Sequence, residues 1–167
     1  MIERAQGSPE LEGFSCGQGE HEDAVDGLVQ NQYTGTAKHQ PSILVMQDIS
    51  AQSPRTMGVV AWRPERSKLR FPWARTDEQY VHVIGVSRDY REHWLDGGVT
   101  VGRTVLNGAL HRIANASSSG RIPSIWAFVA PENERSRRMF ALEGFEYHRP
   151  IRRGTDGFVY RPPGLPL

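Results

Sequence analysis

Tyr80 and His82 stand two residues apart in the run QYVHVIGVS (79–87), whose β-branched and aromatic residues read as a strand. A side-chain period of two puts both, with Ile84, on one strand face. Histidine titrates near neutral pH, so His82 is suited to accept a proton, with Tyr80 beside it as a second candidate. The same position equally suits a histidine packed and satisfied on a strand, and both readings stand. A second group lies just downstream, where Gly97 and Gly98 lead into a helical apolar pattern that includes Gly102. The N–H groups of a helix start have no helical partner and the dipole points outward there, so Gly98 to Thr104 could hold a phosphate. No lysine lies nearby, which argues against a nucleoside-triphosphate loop, and the dinucleotide pattern G-x-G-x-x-G is not met. Cys16 has no histidine placed by sequence to activate it and reads as a structural thiol.

Several elements must position these groups. Residues 18–32 place Ala24, Val25, Leu28 and Val29 at helical spacing, a short amphipathic helix. SILVMQD (42–48) and MGVVAW (57–62) are apolar runs that read as consecutive strands of a hairpin with a long connection. Residues 63–76 hold two prolines without a period and read as a loop. After the strand at 79–87 comes a polar stretch to Gly98. Val101, Val105, Leu106, Ala109, Leu110 and Ile113 then trace one face of a helix over 99–116. SIWAFVA (124–130) is a further strand, a helix follows over 133–143, and Gly144 ends it. FEYH and GFVYR supply final strands, while residues 1–9 and 162–167 read as loose ends. The succession predicts an α/β (α+β) domain of 167 residues around a mixed sheet.

The order and spacing over 79–147 resemble the GNAT superfamily of acyl-CoA-dependent N-acetyltransferases. Ile84-Gly85-Val86 stands where those enzymes end a strand in a Leu-Ala-Val-like triplet, and Tyr90-Arg91 follows in a turn. Gly102-Arg103-Thr104-Val105-Leu106 matches their Gly-x-x-Leu-Leu. Asn133, Ser136, Phe140 and Gly144-Phe145 repeat their second signature. The resemblance implies a mostly antiparallel central sheet flanked by helices, with splayed strands forming an acyl-CoA cleft. It implies cofactor contacts at Ile84, Val86, Arg91, Gly97, Gly98, Thr100, Val101, Gly102, Arg103, Thr104, Asn133, Ser136 and Phe140. It also implies acetyl-CoA as cosubstrate, no metal, and an amine acceptor of small-molecule or peptide kind. Two departures stand out. Glu92–Asp96 interrupts the loop, leaving Gly97 at the family's Arg/Gln position and Thr100 at its first glycine, and Phe140 replaces a tyrosine that protonates the departing thiolate in many members.

The implied reaction needs a neutral amine, although a lysine-like amine has a pKa of ~10.4, so a proton acceptor is required near the strand. Histidines match His82 and Tyr80 in some arylalkylamine acetyltransferases. A strand N–H near Ile84 or Val86 would meet the charge that develops on the carbonyl oxygen. Trp62, Trp73, Trp94 and Trp126 read as core or loop anchors, with Trp73 and Trp94 beside the expected cleft, where they would select an apolar or aromatic acceptor.

Gly13-Phe14-Ser15-Cys16-Gly17, then Asn31-Gln32 and Gly35, faintly resemble GNAT-type toxins that acetylate aminoacyl-tRNA. That is one alternative, and a non-catalytic CoA-binding regulatory domain is the other. The net charge of +1 argues against bulk nucleic-acid binding. Charge is uneven, with seven acids against one base in 1–30 and six arginines against two acids in 135–153. One cysteine excludes an internal disulfide framework and a Cys-rich zinc site. No apolar run nears the ~20 residues of a membrane span, so the expectation is a cytoplasmic protein with no membrane partner. A homodimer stays open.

Overall fold

The computed structural model describes residues 1–4, 11, 14–17, 22, 25–27, 41–50, 52–64, 78–116, 123–152 and 155–160, with backbone alone for 2–4 and 149–152. In chain order the strands are β1 (Ile2–Arg4), β2 (Ser42–Asp48), β3 (Arg55–Pro64) and β4 (Gln79–Val86). A single 3₁₀ turn (Arg88–Tyr90) leads to β5 (Trp94–Leu95) and β6 (Val99–Thr100), then to helix α1 (Val101–Ala116). Strand β7 (Ile125–Val129), helix α2 (Glu134–Leu142), β8 (Phe145–Arg152) and β9 (Thr155–Tyr160) complete the chain. The result is a mixed, mostly antiparallel sheet with flanking helices.

Two compact units share the chain. The first comprises Met1–Trp62 and Val83–Ala109, the second Arg63–His82 and Leu110–Leu167. In the first, β1 pairs antiparallel with β2, and β2 antiparallel with β3 across a bulge between Met46 and Gln47. Side chains alternate along these strands. Ile43, Val45, Val59 and Ala61 face one side with Leu11, Phe14, Cys16 and Val25, and Val83 packs against them. On the other side Gly58 is required by close approach, because a Cβ there would lie 2.9 Å from Val101 Cγ1 and 3.0 Å from Val105 Cγ2. The apolar face of α1 therefore lies directly on β3.

In the second unit β4 pairs in parallel with β7 through Gln79↔Ile125, Tyr80↔Trp126 and Val81↔Ala127. The pairs end there, and β4 runs on to Val86. Antiparallel pairs join β7 to β9 and β9 to β8. Helix α2 covers one face of these strands, where Phe140 packs against Phe145 and Phe158. Asp156 is buried on that face, 3.2 Å from Arg137 Nε on the helix.

The structure departs from the sequence reading in three places. Ile2–Arg4 is an edge strand where a loose lead-in was expected, because its backbone finds partners in Ile43–Val45. Strand β3 takes in Arg63 and Pro64, which the prolines had suggested as loop; a proline is tolerated as a strand's last residue. The polar stretch after β4 holds the β5–β6 hairpin, whose two-residue strands are too short to show a period. Glu22 and Val25–Gly27 are helical as expected. The rest of that helix, residues 65–76, Asn31, Gln32, Gly35 and Trp73 lie outside the described residues.

Candidate functional site

The β5–β6 hairpin turns on Asp96-Gly97-Gly98, closed by a 3.0 Å bond from the Gly98 N–H to the Leu95 carbonyl. Gly97 and Gly98 have φ of +86° and +72°, a conformation that side-chain-bearing residues rarely adopt. A Cβ on either would have nothing within 4 Å, so the turn needs glycine for its backbone and presents an open surface. Thr100 ends β6 and opens α1. Its Oγ1 accepts a long, 3.5 Å bond from the Arg103 N–H, and its carbonyl accepts from Thr104 Oγ1 at 3.1 Å. Threonine thus serves as a helix cap at the position where the resemblance expects glycine. The first turn of α1 carries no acid, leaving its dipole unopposed there. Val101 and Gly102 are buried, Arg103 and Thr104 half-buried.

The turn before the hairpin is fixed from below. The Tyr90 hydroxyl donates to Asp48 Oδ2 at 3.0 Å. Burial and the Asp48 charge both push the Tyr90 pKa up, while bonds from Ser50 and Tyr90 hold Asp48 below its ordinary value. Arg91, expected at the cofactor, is bonded to the protein itself. Its guanidinium donates to Glu22 Oε1 at 2.6 Å and to the Cys16 carbonyl, tying the N-terminal segment to the turn. Asp26 completes that tie by accepting from the Ser15 hydroxyl at 2.8 Å and the Cys16 N–H at 3.0 Å.

At the end of β4, Gly85 meets this segment edge-on. A Cβ on it would fall 2.5 Å from Val25 Cγ1 and 2.8 Å from Cys16 Sγ. Burial and the nearby Asp26 push the Cys16 thiol up to about 12, so it is a packed, un-ionised group. The Val86 backbone offsets a small part of that rise. Ile84 and Val86 are half-buried.

In the second unit Tyr80 and His82 do share a strand face, with ring centroids 5.5 Å apart. Phe128 on β7 lies 5.1 Å from Tyr80, and the Arg63 guanidinium sits 5.8 Å above the Tyr80 ring. Burial, reinforced by the Arg63 charge, holds His82 below its ordinary 6.5 and favours the neutral imidazole. Sequence reasoning missed Arg63. Its signal was the continued strand after Trp62, hidden by Pro64.

Asn133 caps α2, its side-chain oxygen accepting from the Ser136 N–H at 3.0 Å. That places Asn133 and Ser136 side by side as expected and gives their pairing a structural cause. Phe140 is only 5% exposed and packs edge-on against Phe145 at 4.9 Å. Its ring is part of the unit's aromatic core. Among the described residues no group of three acids, histidines or cysteines could hold a metal, and no helix is long and apolar enough to cross a membrane.

No protein-family model matches the chain, and no curated protein matches it in sequence. Solved structures do match in three dimensions. A putative acetyltransferase of the GNAT family from Desulfovibrio desulfuricans aligns with a TM-score of 0.59 over 95% of this chain and 96% of its own, at 18% identity. Arabidopsis thaliana NAA60, crystallised in complex with acetyl-CoA, gives 0.57 over 95% and 97%, at 16% identity. A putative phosphinothricin N-acetyltransferase gives 0.53 over 95% and 94%, at 19% identity. Likeness at such identities concerns the path of the backbone, and by that path the chain has the GNAT acetyltransferase fold.

Proposed function

We propose that the protein is an acyl-CoA N-acyltransferase that moves an acetyl group from acetyl-CoA to a primary amine by direct attack. The observation that carries this reading is the Gly97-Gly98 turn opening into the acid-free first turn of α1, on a backbone shared with proteins of that chemistry. Backbone donors at the start of α1, beyond Gly98, whose N–H is already bonded to Leu95, would hold the pyrophosphate. The part of β4 beyond the Val81↔Ala127 pair, at Ile84 and Val86, would offer main-chain groups to the pantetheine arm. Acetyl-CoA would supply an activated acyl group whose transfer forms a C–N bond and releases a thiol. His82 would take the amine's proton, directly or through water, since its depressed pKa keeps the imidazole neutral and able to accept.

A second reading, a CoA-binding regulatory domain without turnover, is favoured by Phe140, which cannot give a proton and is enclosed by Phe145 and Phe158. A thiol leaving group has a moderate pKa of ~8.5, so transfer can proceed without that donor, and the enzyme reading stands first.

Thermal unfolding and an amine panel test both. Acetyl-CoA at ~100 times its Kd stabilises the fold by ~2.7 kcal/mol, while ATP and NAD do much less. Release of free thiol with any amine of the panel supports the enzyme, binding without release supports the regulatory domain, and no thermal shift with acetyl-CoA or CoA overturns both.

A further inference from the structure

Trp94 is the one tryptophan among the described residues that the fold leaves uncovered. It is 68% exposed, whereas Trp62 is buried and Trp126 half-buried. An uncovered indole is a large apolar plane with a polarised face, and its position decides what it can meet. It stands in β5 directly opposite Thr100, the residue that caps α1. Opposed residues of an antiparallel pair lie about 4.5–5.5 Å apart, so the indole is rooted beside the first turn of that helix.

The root is stiff. His93, the preceding residue, donates its N–H to the Tyr90 carbonyl at 3.1 Å and sets its ring edge-on to Tyr90 at 5.4 Å. Tyr90 in turn is buried and bonded to Asp48. Beyond Trp94 the Gly97-Gly98 turn adds no side chain and leaves open space. The interruption Glu92–Asp96, which disturbs the expected loop, is therefore built as a short hairpin presenting an exposed indole next to the Gly97-Gly98 turn.

We propose that Trp94 is a stacking wall for the adenine ring of the acyl-bearing nucleotide, so that the hairpin binds the base while the first turn of α1 binds the phosphates. This rests on the acyl-CoA reading of the site. Stacking of a base on an aromatic ring needs no hydrogen-bond partner and is lost when the ring is truncated.

The test compares two probes, acetyl-CoA and S-acetylpantetheine, which lacks the nucleotide. Trp94→Ala should weaken acetyl-CoA binding about tenfold and leave S-acetylpantetheine binding and the ligand-free melting temperature unchanged. Trp94→Phe keeps an aromatic face and should recover most of the loss. In the wild type, acetyl-CoA should quench a tryptophan emission that Trp94→Phe removes. Equal acetyl-CoA affinity in wild type and Trp94→Ala overturns the stacking role while leaving the acyl-CoA reading intact. So does an unchanged acetyl-CoA affinity with a raised KM for the amine, which would assign the ring to the acceptor. A wild type that binds no acetyl-CoA overturns the underlying reading itself.

Discussion

The Arg91 guanidinium lies 2.6 Å from the Glu22 carboxylate and also donates to the Cys16 carbonyl, although the two acidic and basic residues are 69 positions apart. Both side chains are half-buried, so the pair is less screened than an exposed one. Arg91→Ala should lower stability by about 1–2 kcal/mol, between the ranges for exposed and buried pairs. Its acetyl-CoA affinity should stay within twofold of wild type. A large loss of affinity with no loss of stability, measured by calorimetry on the same samples, would return Arg91 to the cofactor.

His82 gives the protein a signed pH response. Its folded-state pKa is depressed below 6.5, so below that pH the unfolded chain binds a proton that the folded chain does not. This contribution to stability is present above pH ~6.5 and declines as pH falls. His82→Gln should remove the decline, which urea unfolding at a series of pH values would detect. With an acceptor in hand, His82→Gln should also cut kcat/KM by ~10²-fold and leave acetyl-CoA binding intact. A pH–rate profile unchanged by the substitution would leave water or the backbone as proton acceptor.

The turn at Gly98 separates conformational cost from steric cost. With φ at +72° and open space around the Cβ position, Gly98→Ala should cost about 1–2 kcal/mol through backbone strain alone. Asn tolerates that conformation, so Gly98→Asn should recover most of the loss in a thermal melt. Equal losses in the two variants would point to a steric origin instead.

Gly85 is the converse case. Its Cβ position is already filled by Val25 and Cys16, so Gly85→Ala should destabilise by about 1–3 kcal/mol through overpacking. Cys16→Ala removes the closest sulfur, so the double variant should lose less than the sum of the singles. Strict additivity in a double-mutant cycle would show that the two residues do not press on each other.

Phe140→Ala empties the aromatic core beneath α2 and should cost about 3–5 kcal/mol. A cost below 1 kcal/mol, read from chemical unfolding, would mean that the ring is not the core residue its burial indicates.

Much of this was legible in the chain. Ser42–Asp48 is the strand that its apolar run predicts, and Gly144 ends α2 as a glycine in the left-handed region should. The shared face of Tyr80 and His82 followed from a period of two. What escaped were relationships without a period. Nothing local ties Arg91 to Glu22 or Tyr90 to Asp48, since those bonds depend on segments brought together by the sheet. Phe140 shows a different limit: its spacing from Asn133 fits a cofactor signature and a buried helix face equally, and the rings of Phe145 and Phe158 that enclose it have no signal in that spacing.

The division of the chain into Met1–Trp62 with Val83–Ala109, and Arg63–His82 with the remainder, has a consequence for biosynthesis. During translation the first 62 residues emerge without the segment that completes their unit. The residues of β2 and β3 that α1 covers must wait until Ala109 has been added, a delay of several seconds at ~5–20 residues per second. For that interval the face of the hairpin that α1 will cover, with Leu44 and Val60, stays open to water, while Ile43, Val45 and Val59 can already meet Leu11, Phe14 and Val25. Chaperone demand in the cell should therefore be greatest between the synthesis of Trp62 and that of Ala109.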